Sequence, residues 1–309
     1  MIPDEFRELA RAVNNWGRWG PDDERGTLNL ITDELVRRAA AAVRTGKRFA
    51  LGLPLSTDGP QIGLLPGRIN PLRTMVSVHQ PEPMLRDPAG FQSSEDVVVM
   101  ALQAATHWDA LAHVSYDGRL YNGFPMDSVS ASGAVRCGID KIGPLVGRGV
   151  LLDVARALGR DRLESGHALD ASDLNAAEEL GRVTVGEGDI VLLRTGHLQL
   201  LRKGRKADYC MGGPGPSMRS VRWFHERGVA ALATDTYIFE VFPGERPDLM
   251  LPVHLLHLVE MGMTQGQNFD LERLAADCAE DGVYSFLLEA TPQPFVAGLG
   301  TPVNPVAVK

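Results

Sequence analysis

The stretch QAATHWDALAH, residues 103–113, concentrates side chains that could hold a metal ion and move a proton. It contains two of the chain's eight histidines together with an aspartate and a glutamine. An imidazole nitrogen and a carboxylate oxygen are good ligands for zinc, manganese or iron, whereas an amide oxygen is a weaker and harder ligand. The same residues could instead be ordinary polar groups in a turn, so their spacing alone leaves both interpretations open.

The apolar run before this stretch predicts that its polar side chains converge. If VVVMALQAATHWD continues as one strand, Gln103, His107 and Asp109 share a face, because alternate side chains of a strand point the same way. His113 comes four residues after Asp109, beyond a predicted turn, and could return as a ligand or a base. The ordinary pKa of histidine, roughly 6.5, suits proton transfer near neutral pH.

Composition and charge favour a cytoplasmic protein and argue against a nucleic-acid or membrane partner. The net charge of −8 argues against a nucleic-acid surface, which needs a concentrated basic face. No apolar run approaches the roughly 20 residues that a membrane span needs, and MIPDEFRELA has acids where a secretory signal is basic. Cys137, Cys210 and Cys278 are widely spaced, which suits a reducing compartment and is unlike a zinc site with CxxC pairs.

Strand and helix patterns alternate along the chain and predict the α/β class. Helix ends are marked by Ser217 and Gly228 around SMRSVRWFHERG, by Pro252 and Gly262 in LPVHLLHLVEMG, and by the glycine of FDLERLAADCAEDG. The predicted strands are EDVVVMALQAA, GVLLDVA, DIVLLRTG, VAALATDTYIF and VYSFLLEA. We therefore expect a single domain over residues 1–309, with a mixed sheet, flanking helices, and residues 1–50 as a helical N-terminal extension.

The segment THWDALAHVSYDGRLYNG, residues 106–123, resembles the signature of the cyclase family, which includes bacterial kynurenine formamidase and isatin hydrolase. The family pattern is H-x-G-T-H-x-D-x-x-x-H, and Thr106, His107, Asp109 and His113 match its last four defined positions. The stretches NNWGRWGPDDERGTLNLIT, RGVLLDVAR and GTPVNPVAVK are also similar to a long-chain branch of the family. The resemblance therefore covers nearly the whole chain.

The resemblance implies a swivelling β/β/α fold, a divalent metal ion, and hydrolysis of an amide, cyclic amide, lactone or ester bond. It also implies assembly as a homodimer or homotetramer. By the same resemblance, His107 and Asp109 are metal ligands and His113 is the acid/base residue. In such a mechanism the ion lowers the pKa of a bound water and polarises a carbonyl, while His113 moves the proton.

Two glutamines depart from the family pattern. Gln103 stands in place of the first histidine of the signature, and Ala105 stands in place of its glycine. Further on, His254 matches a histidine of the later metal-site segment, while Gln267 stands where a glutamate is usual. Two neutral amides supply less negative charge than the imidazole and the carboxylate of the family pattern. This difference favours one bound ion over two. Relative to zinc, manganese is therefore more favoured here than at a site with the family's full ligand set.

Other residues and other functions remain open from the sequence. Trp108, Tyr116 and Asn122 could line the substrate side, although a turn at Asp117-Gly118 would equally explain the last two. A hydrolase weakened into a small-molecule binding protein is one alternative, and the two glutamines support it. A cyclase that closes a ring instead of opening one is the other, because the same metal and base serve both directions.

Overall fold

The computed structural model describes residues 2–81 and 90–309. Within these ranges the helices are α1 (Asp4–Val13), α2 (Asp33–Ala41), α3 (Val154–Ala157), α4 (Ala171–Gly181), α5 (Leu198–Arg202), α6 (Lys206–Cys210), α7 (Met218–Glu226), α8 (Pro252–His254) and α9 (Glu272–Asp281). A π-helix over Leu255–Met261 continues α8, and 3-10 turns cover Gly26–Leu30, Tyr121–Gly123, Met126–Ser128 and Ile139–Lys141.

The strands in the same ranges are short and numerous. They are β1 (Arg48–Ala50), β2 (Leu72–Pro81), β3 (Gln92–Val99), β4 (His107–Asp109), β5 (Val129–Ser130), β6 (Gly133–Ala134), β7 (Val146–Asp153), β8 (Ala168–Leu169), β9 (Ile190–Arg194), β10 (Gly215–Pro216), β11 (Ala231–Thr234), β12 (Gln265–Gln267), β13 (Ser285–Glu289), β14 (Gly300–Pro302) and β15 (Val306–Val308).

A large mixed sheet organises the molecule. Across the described residues its strand order is β1-β15-β13-β7-β9-β11-β12-β4-β14. The pairs from β7 through β9 and β11 to β12 are parallel, and the strands added on both sides are antiparallel. The predicted α/β class with a mixed sheet and flanking helices is therefore confirmed.

Core residues lie on both faces of this sheet because neighbouring side chains of a strand alternate between them. In β7, Val150 and Leu152 belong to one apolar cluster, whereas Leu151 belongs to a second cluster on the opposite face. The first cluster includes Phe6 of α1 and Phe224 of α7. A sheet covered on both faces needs near-continuous apolar strands, which explains why GVLLDVA and DIVLLRTG show no polar alternation.

The predicted helix ends agree with the structure. Ser217 is the N-cap of α7, where its backbone N–H donates to Ser220 Oγ at 3.2 Å. Pro252 occupies the first turn of α8. Gly228, Gly262 and Gly282 follow their helices with φ values of 64°, 64° and 71°, a left-handed conformation that glycine adopts without strain.

One strand prediction is wrong. The run VVVMALQAATHWD is not continuous, because β3 ends at Val99 and β4 begins only at His107, with a turn between them. The two strands belong to different sheets: β3 pairs with β2 in a separate hairpin, whereas β4 lies between β12 and β14. Gln103 therefore lies on a turn and does not share the face of a strand with His107 and Asp109.

Residues 1–50 contain α1, α2 and also β1, which pairs antiparallel with β15. Phe6 and Val13 of α1 are fully buried in the core. That the chain forms one domain with this segment as an extension stays a prediction. Among the helices described, none has the length and apolar character needed to cross a membrane.

Candidate active site

Strand β4 places His107 and Asp109 on one face and Trp108 on the other. Register pairs His107 with Gln267 of β12, and Asp109 with Gly300 of β14. Trp108 is buried in the core on the opposite face, where its indole N–H donates to the carbonyl of Ala290 at 2.8 Å. The structure therefore separates Trp108 from the face on which the predicted ligands lie.

His107 and Asp109 present two unpartnered atoms to each other. The Nδ1 atom of His107 lies 2.8 Å from the carbonyl oxygen of Ala105, which can only accept, so Nδ1 carries a proton, and in the neutral imidazole Nε2 then keeps a lone pair. This Nε2 lies 3.4 Å from Asp109 Oδ1. Both atoms are buried, and neither has a hydrogen-bond partner among the described residues. Two electron-rich atoms facing each other away from water are stabilised when a cation lies between them.

The second carboxylate oxygen of Asp109 is held by amides. Gln267 donates its side-chain N–H to Asp109 Oδ2 at 2.7 Å, and Gln265 donates to the same oxygen at 3.3 Å. Burial alone would raise the pKa of the Asp109 carboxyl, but the imidazoles of His113 and His107 outweigh burial and hold it well below its ordinary value. Asp109 is therefore a carboxylate, and Gln267 orients it through its nitrogen end.

His113 lies beside the same carboxylate and faces open space. Its Nε2 is 3.8 Å from Asp109 Oδ1, and 21% of its side chain is exposed. Burial lowers the pKa of the His113 imidazole, Asp109 opposes this effect, and the His254 ring and the Arg68 guanidinium add to the lowering. A neutral imidazole in this position can accept a proton near neutral pH.

His254 enters the site from α8 and is oriented by Glu240, a residue that sequence reasoning missed. Glu240 Oε1 lies 2.5 Å from His254 Nδ1, and the Glu240 carboxylate also accepts the backbone N–H groups of Val253 and His254 at 3.0 and 2.8 Å. A carboxylate on Nδ1 leaves Nε2 as the acceptor nitrogen. The sequence did carry a signal for Glu240, because this acidic residue stands between Phe239 and Val241 in an apolar run.

Gln103 lies near this site but on the turn before β4. Its side-chain nitrogen is 2.6 Å from the point where a β-carbon on Gly300 would stand, so the missing side chain of Gly300 makes room for the amide. A cavity opens next to His113, and Gln103 is not among the described residues that line it. The structure thus brings together His107, Asp109, His113 and Gln267, with Gln103 at the margin.

Tyr116 and Asn122 serve as structural anchors. The Tyr116 hydroxyl donates to Glu260, and its ring packs edge-on against Phe6 with centroids 5.4 Å apart. The Asn122 amide bonds the backbone of the N-terminal loop, accepting from Gly17 at 2.7 Å and donating to carbonyls of residues 20, 21 and 23. Neither residue is among the described lining of the cavity.

A cavity of about 540 Å³ opens next to His113, His254 and Gln267. Its size suits a small organic molecule. Few polar residues line it: besides the three residues just named, Arg68 and Tyr237 do so. The remaining lining is largely apolar and consists of Leu64, Leu65, Val114, Cys210, Met211, Ile238, Phe242, Met250 and Leu251.

The donor set fits a divalent ion, although the described residues contain no ready group of three or more His, Cys, Asp or Glu side chains spaced for one. The fit rests on His107 Nε2 and Asp109 Oδ1, which are buried, face each other and have no hydrogen-bond partner in the described chain. His113 and Gln267 lie beside the same carboxylate, and His254 lines the cavity with them. A mixed nitrogen and oxygen set of this kind suits zinc or manganese.

Comparisons with known proteins place this geometry in context. A model of the family described as "Putative cyclase" matches residues 49–241. The structure described as that of a novel cyclase is 35% identical, with a TM-score of 0.88, and the match covers 97% of this chain and 99% of that one. A search of curated proteins returned no match.

More distant structures share the fold. Isatin hydrolase A from Labrenzia aggregata, bound to benzyl benzoate, is 23% identical with a TM-score of 0.62, and the match covers 89% of this chain and 97% of that one. A predicted metal-dependent hydrolase from Bacillus stearothermophilus is 15% identical with a TM-score of 0.51, and the coverage is 84% and 97%. The predicted cyclase-like fold is thereby confirmed.

Proposed function

Because the chain belongs to the cyclase family, we propose that it is a metal-dependent hydrolase of an amide, cyclic amide, lactone or ester bond in a small molecule. The observation that carries the proposal is the unpartnered pair of His107 Nε2 and Asp109 Oδ1, 3.4 Å apart and beside His113. The hydrolase names of distant structures with the same fold support it.

In this proposal His107 and Asp109 hold one divalent ion, manganese or zinc, with Gln267, His254 or Gln103 completing the set. When bound, such an ion supplies Lewis acidity toward a carbonyl and lowers the pKa of water. Gln267 and Gln265 hold the Asp109 carboxylate in place through its second oxygen. The neutral amides of Gln103 and Gln267 favour one ion over two.

His113 moves the proton. Its neutral imidazole accepts a proton from the attacking water, and Asp109, 3.8 Å away, stabilises the imidazolium that results. The same imidazolium then donates that proton to the departing nitrogen or oxygen, which returns His113 to its starting state. The apolar lining of the cavity keeps bulk water away from this exchange.

Two alternative functions would use the same site. Ring closure would use the same groups in reverse, so the stability of the ring in the natural substrate decides the direction. A weakened scaffold that only binds a small molecule is favoured by the neutral Gln103 and Gln267. It predicts an intact cavity, ligand binding without turnover, and weak metal uptake.

Metal content and turnover of a His113 variant test the proposal. We expect elemental mass spectrometry to find about one manganese or zinc per chain, and a panel of lactones, cyclic imides, isatin and N-formyl amides to contain a substrate. His113→Ala should keep the metal and lose about 100- to 10,000-fold in kcat. His107→Ala and Asp109→Asn should lose the metal.

The exposed His167, which pairs with Asp173 at 3.1 Å, offers a matched control, because His167→Ala should change neither quantity. Loss of metal from His113→Ala would make His113 a ligand. Failure of the wild-type protein to take up metal, together with silence across the panel, would overturn the hydrolase and favour the binding protein.

We propose further that the protein acts as a homodimer or homotetramer, with a second copy covering the β2–β3 hairpin. The hairpin exposes apolar side chains that include Leu72, Val76, Val97 and Val99. A two-stranded sheet is at best marginally stable alone in water, so a partner surface would stabilise it. We place the protein in the cytoplasm, where its three free, buried cysteines would stay reduced.

A further inference from the structure

Arg68 stands out in the cavity because it brings a permanent positive charge to a largely apolar wall. It belongs to the loop between β1 and β2 and lines the cavity together with His113 and His254. A ligand that reaches His113 therefore also meets the field of the guanidinium.

The guanidinium of Arg68 lacks a carboxylate partner in the described part of the chain, residues 2–81 and 90–309. The buried Arg194, by contrast, is paired: it contacts Asp153 at 2.7 Å and Glu272 at 2.8 Å. Bringing an unpaired cation into an apolar setting is costly unless something else compensates the charge. The planar fork of a guanidinium matches a carboxylate with two parallel hydrogen bonds.

Hydrogen bonds connect Tyr237, which lines the cavity together with Arg68, to the turn before β4. Burial raises the pKa of the Tyr237 hydroxyl, and the adjacent Arg68 guanidinium opposes that rise. The same hydroxyl donates to Gln61 Oε1 at 2.7 Å, and Gln61 donates its amide N–H to the carbonyl of Ala104 at 2.8 Å. Ala104 lies three residues before His107, so these bonds fix the Tyr237 hydroxyl relative to β4, and Arg68 lines the same cavity as Tyr237.

We propose that Arg68 binds a carboxylate of the substrate, so that the enzyme acts on apolar amides or esters that carry one carboxylate besides the scissile bond. The inference rests on the proposed hydrolase function. The apolar residues of the cavity accommodate the body of such a molecule, Arg68 holds its carboxylate, and the reacting carbonyl faces His113. Tyr237 is a positioning residue that orients the guanidinium.

Equilibrium binding tests Arg68 without any need for turnover. The probes are 2-aminobenzoate and 2-aminobenzamide, which have nearly the same size and differ in charge, titrated calorimetrically into chelator-treated protein. Arg68→Gln should weaken binding of the carboxylate about 10- to 100-fold and leave binding of the amide within about twofold. Arg68→Lys should restore part of the loss, because it keeps the charge but loses the fork.

Arg73 provides the matched control, since it is exposed on β2 and paired with Asp96 at 3.3 Å. Arg73→Gln should leave both affinities unchanged. Equal weakening of both probes in Arg68→Gln would overturn the proposal, as would a carboxylate preference that appears only after metal is added, because the metal centre would then be the anion site. Tighter Arg68-dependent binding of phenylphosphonate than of benzoate would also overturn it.

Kinetics separate this proposal from the hydrolase function. If carboxylate-bearing substrates are hydrolysed, Arg68→Gln should raise KM for them and spare their neutral analogues. If no substrate is turned over but carboxylate binding still depends on Arg68, the hydrolase proposal fails and the anion site stands. If Arg68→Gln weakens only the binding of the product acid and leaves KM for charged substrates unchanged, the substrate assignment is wrong.

Discussion

Glu240 decides how His254 faces the cavity. Its carboxylate contacts Nδ1 of His254 at 2.5 Å while accepting two backbone N–H groups at the start of α8. The first backbone N–H groups of a helix have no partner within the helix. This one carboxylate therefore both accepts N–H groups at the start of α8 and fixes the tautomer of the His254 imidazole. The Glu240 side chain therefore contributes to the site without lining the described cavity.

Glu240→Gln should lower kcat/KM or metal affinity about 10- to 100-fold, because the neutral amide orients His254 less firmly. The measurement is metal titration together with kcat/KM on the best substrate of the panel. Glu245 is a fitting control, since it accepts the Met218 N–H at 3.0 Å at the start of α7. If Glu245→Gln lowers activity as much as Glu240→Gln does, the effect is one of helix capping and our interpretation of Glu240 is wrong.

The π-helix over Leu255–Met261 is the element in which local structure departs most from ordinary helix geometry. π-Helical turns are rare and are found frequently at functional sites. This one follows His254 directly and ends at Gly262, whose φ is 64°. It carries His257 into the core between Phe224 and Phe239, with ring centroids 5.7 and 5.5 Å away.

His257 makes stability sensitive to acid. Both of its ring nitrogens are buried without a hydrogen-bond partner in the described chain, and burial lowers the pKa of His257 to about 3. As the pH falls below roughly 6.5, the unfolded chain takes up a proton at this residue and the folded chain does not. Stability is therefore lost between pH about 6.5 and about 3.

His257→Leu should remove this acid sensitivity and, at pH 7, should leave the free energy of unfolding unchanged or raise it by about 1–3 kcal/mol, because unsatisfied polar atoms leave the core. Urea unfolding of the wild-type protein and the variant at pH 7 and pH 5 measures both effects. His167→Leu, at a surface position, serves as the control. An equal drop in stability from pH 7 to pH 5 in wild type and His257→Leu would contradict the prediction.

At the scale of the whole molecule, the β2–β3 hairpin exposes apolar side chains that a single chain leaves uncovered. Val76 is 69% exposed and Val99 is 60% exposed, although valine favours burial. Leu72 pairs with Val99 and Thr74 pairs with Val97, so these side chains form one apolar face. The hairpin follows in sequence from the loop that carries Arg68.

Lysines on that face should convert the assembly to monomers. We expect sedimentation velocity to give the wild-type protein at least twice the chain mass of 33.5 kDa, and Val97→Lys with Val99→Lys to give the single-chain mass, because buried lysines disfavour the contact. Val135, which is 72% exposed and lies outside the hairpin, provides the control Val135→Lys. A monomeric wild type, or a double variant of unchanged mass, would refute an interface at the hairpin.

Much of the secondary structure could be predicted from the sequence because its causes are local. The caps at Ser217 and Pro252 and the glycines after three helices act within a single turn of the chain. The shared face of His107 and Asp109 is equally local, since only one residue separates them. These features hold whatever the rest of the chain does.

The remainder depended on the tertiary structure because it joins residues far apart in the chain. Gln267 reaches Asp109 only through the register of β12 against β4, and Glu240, His254 and Arg68 come from three separate segments. Gln103 was misplaced because hydrophobic periodicity does not show that β3 and β4 belong to different sheets. Alternation and capping are determined by neighbours in sequence, whereas strand pairing brings distant residues together, and it is strand pairing that assembled this site.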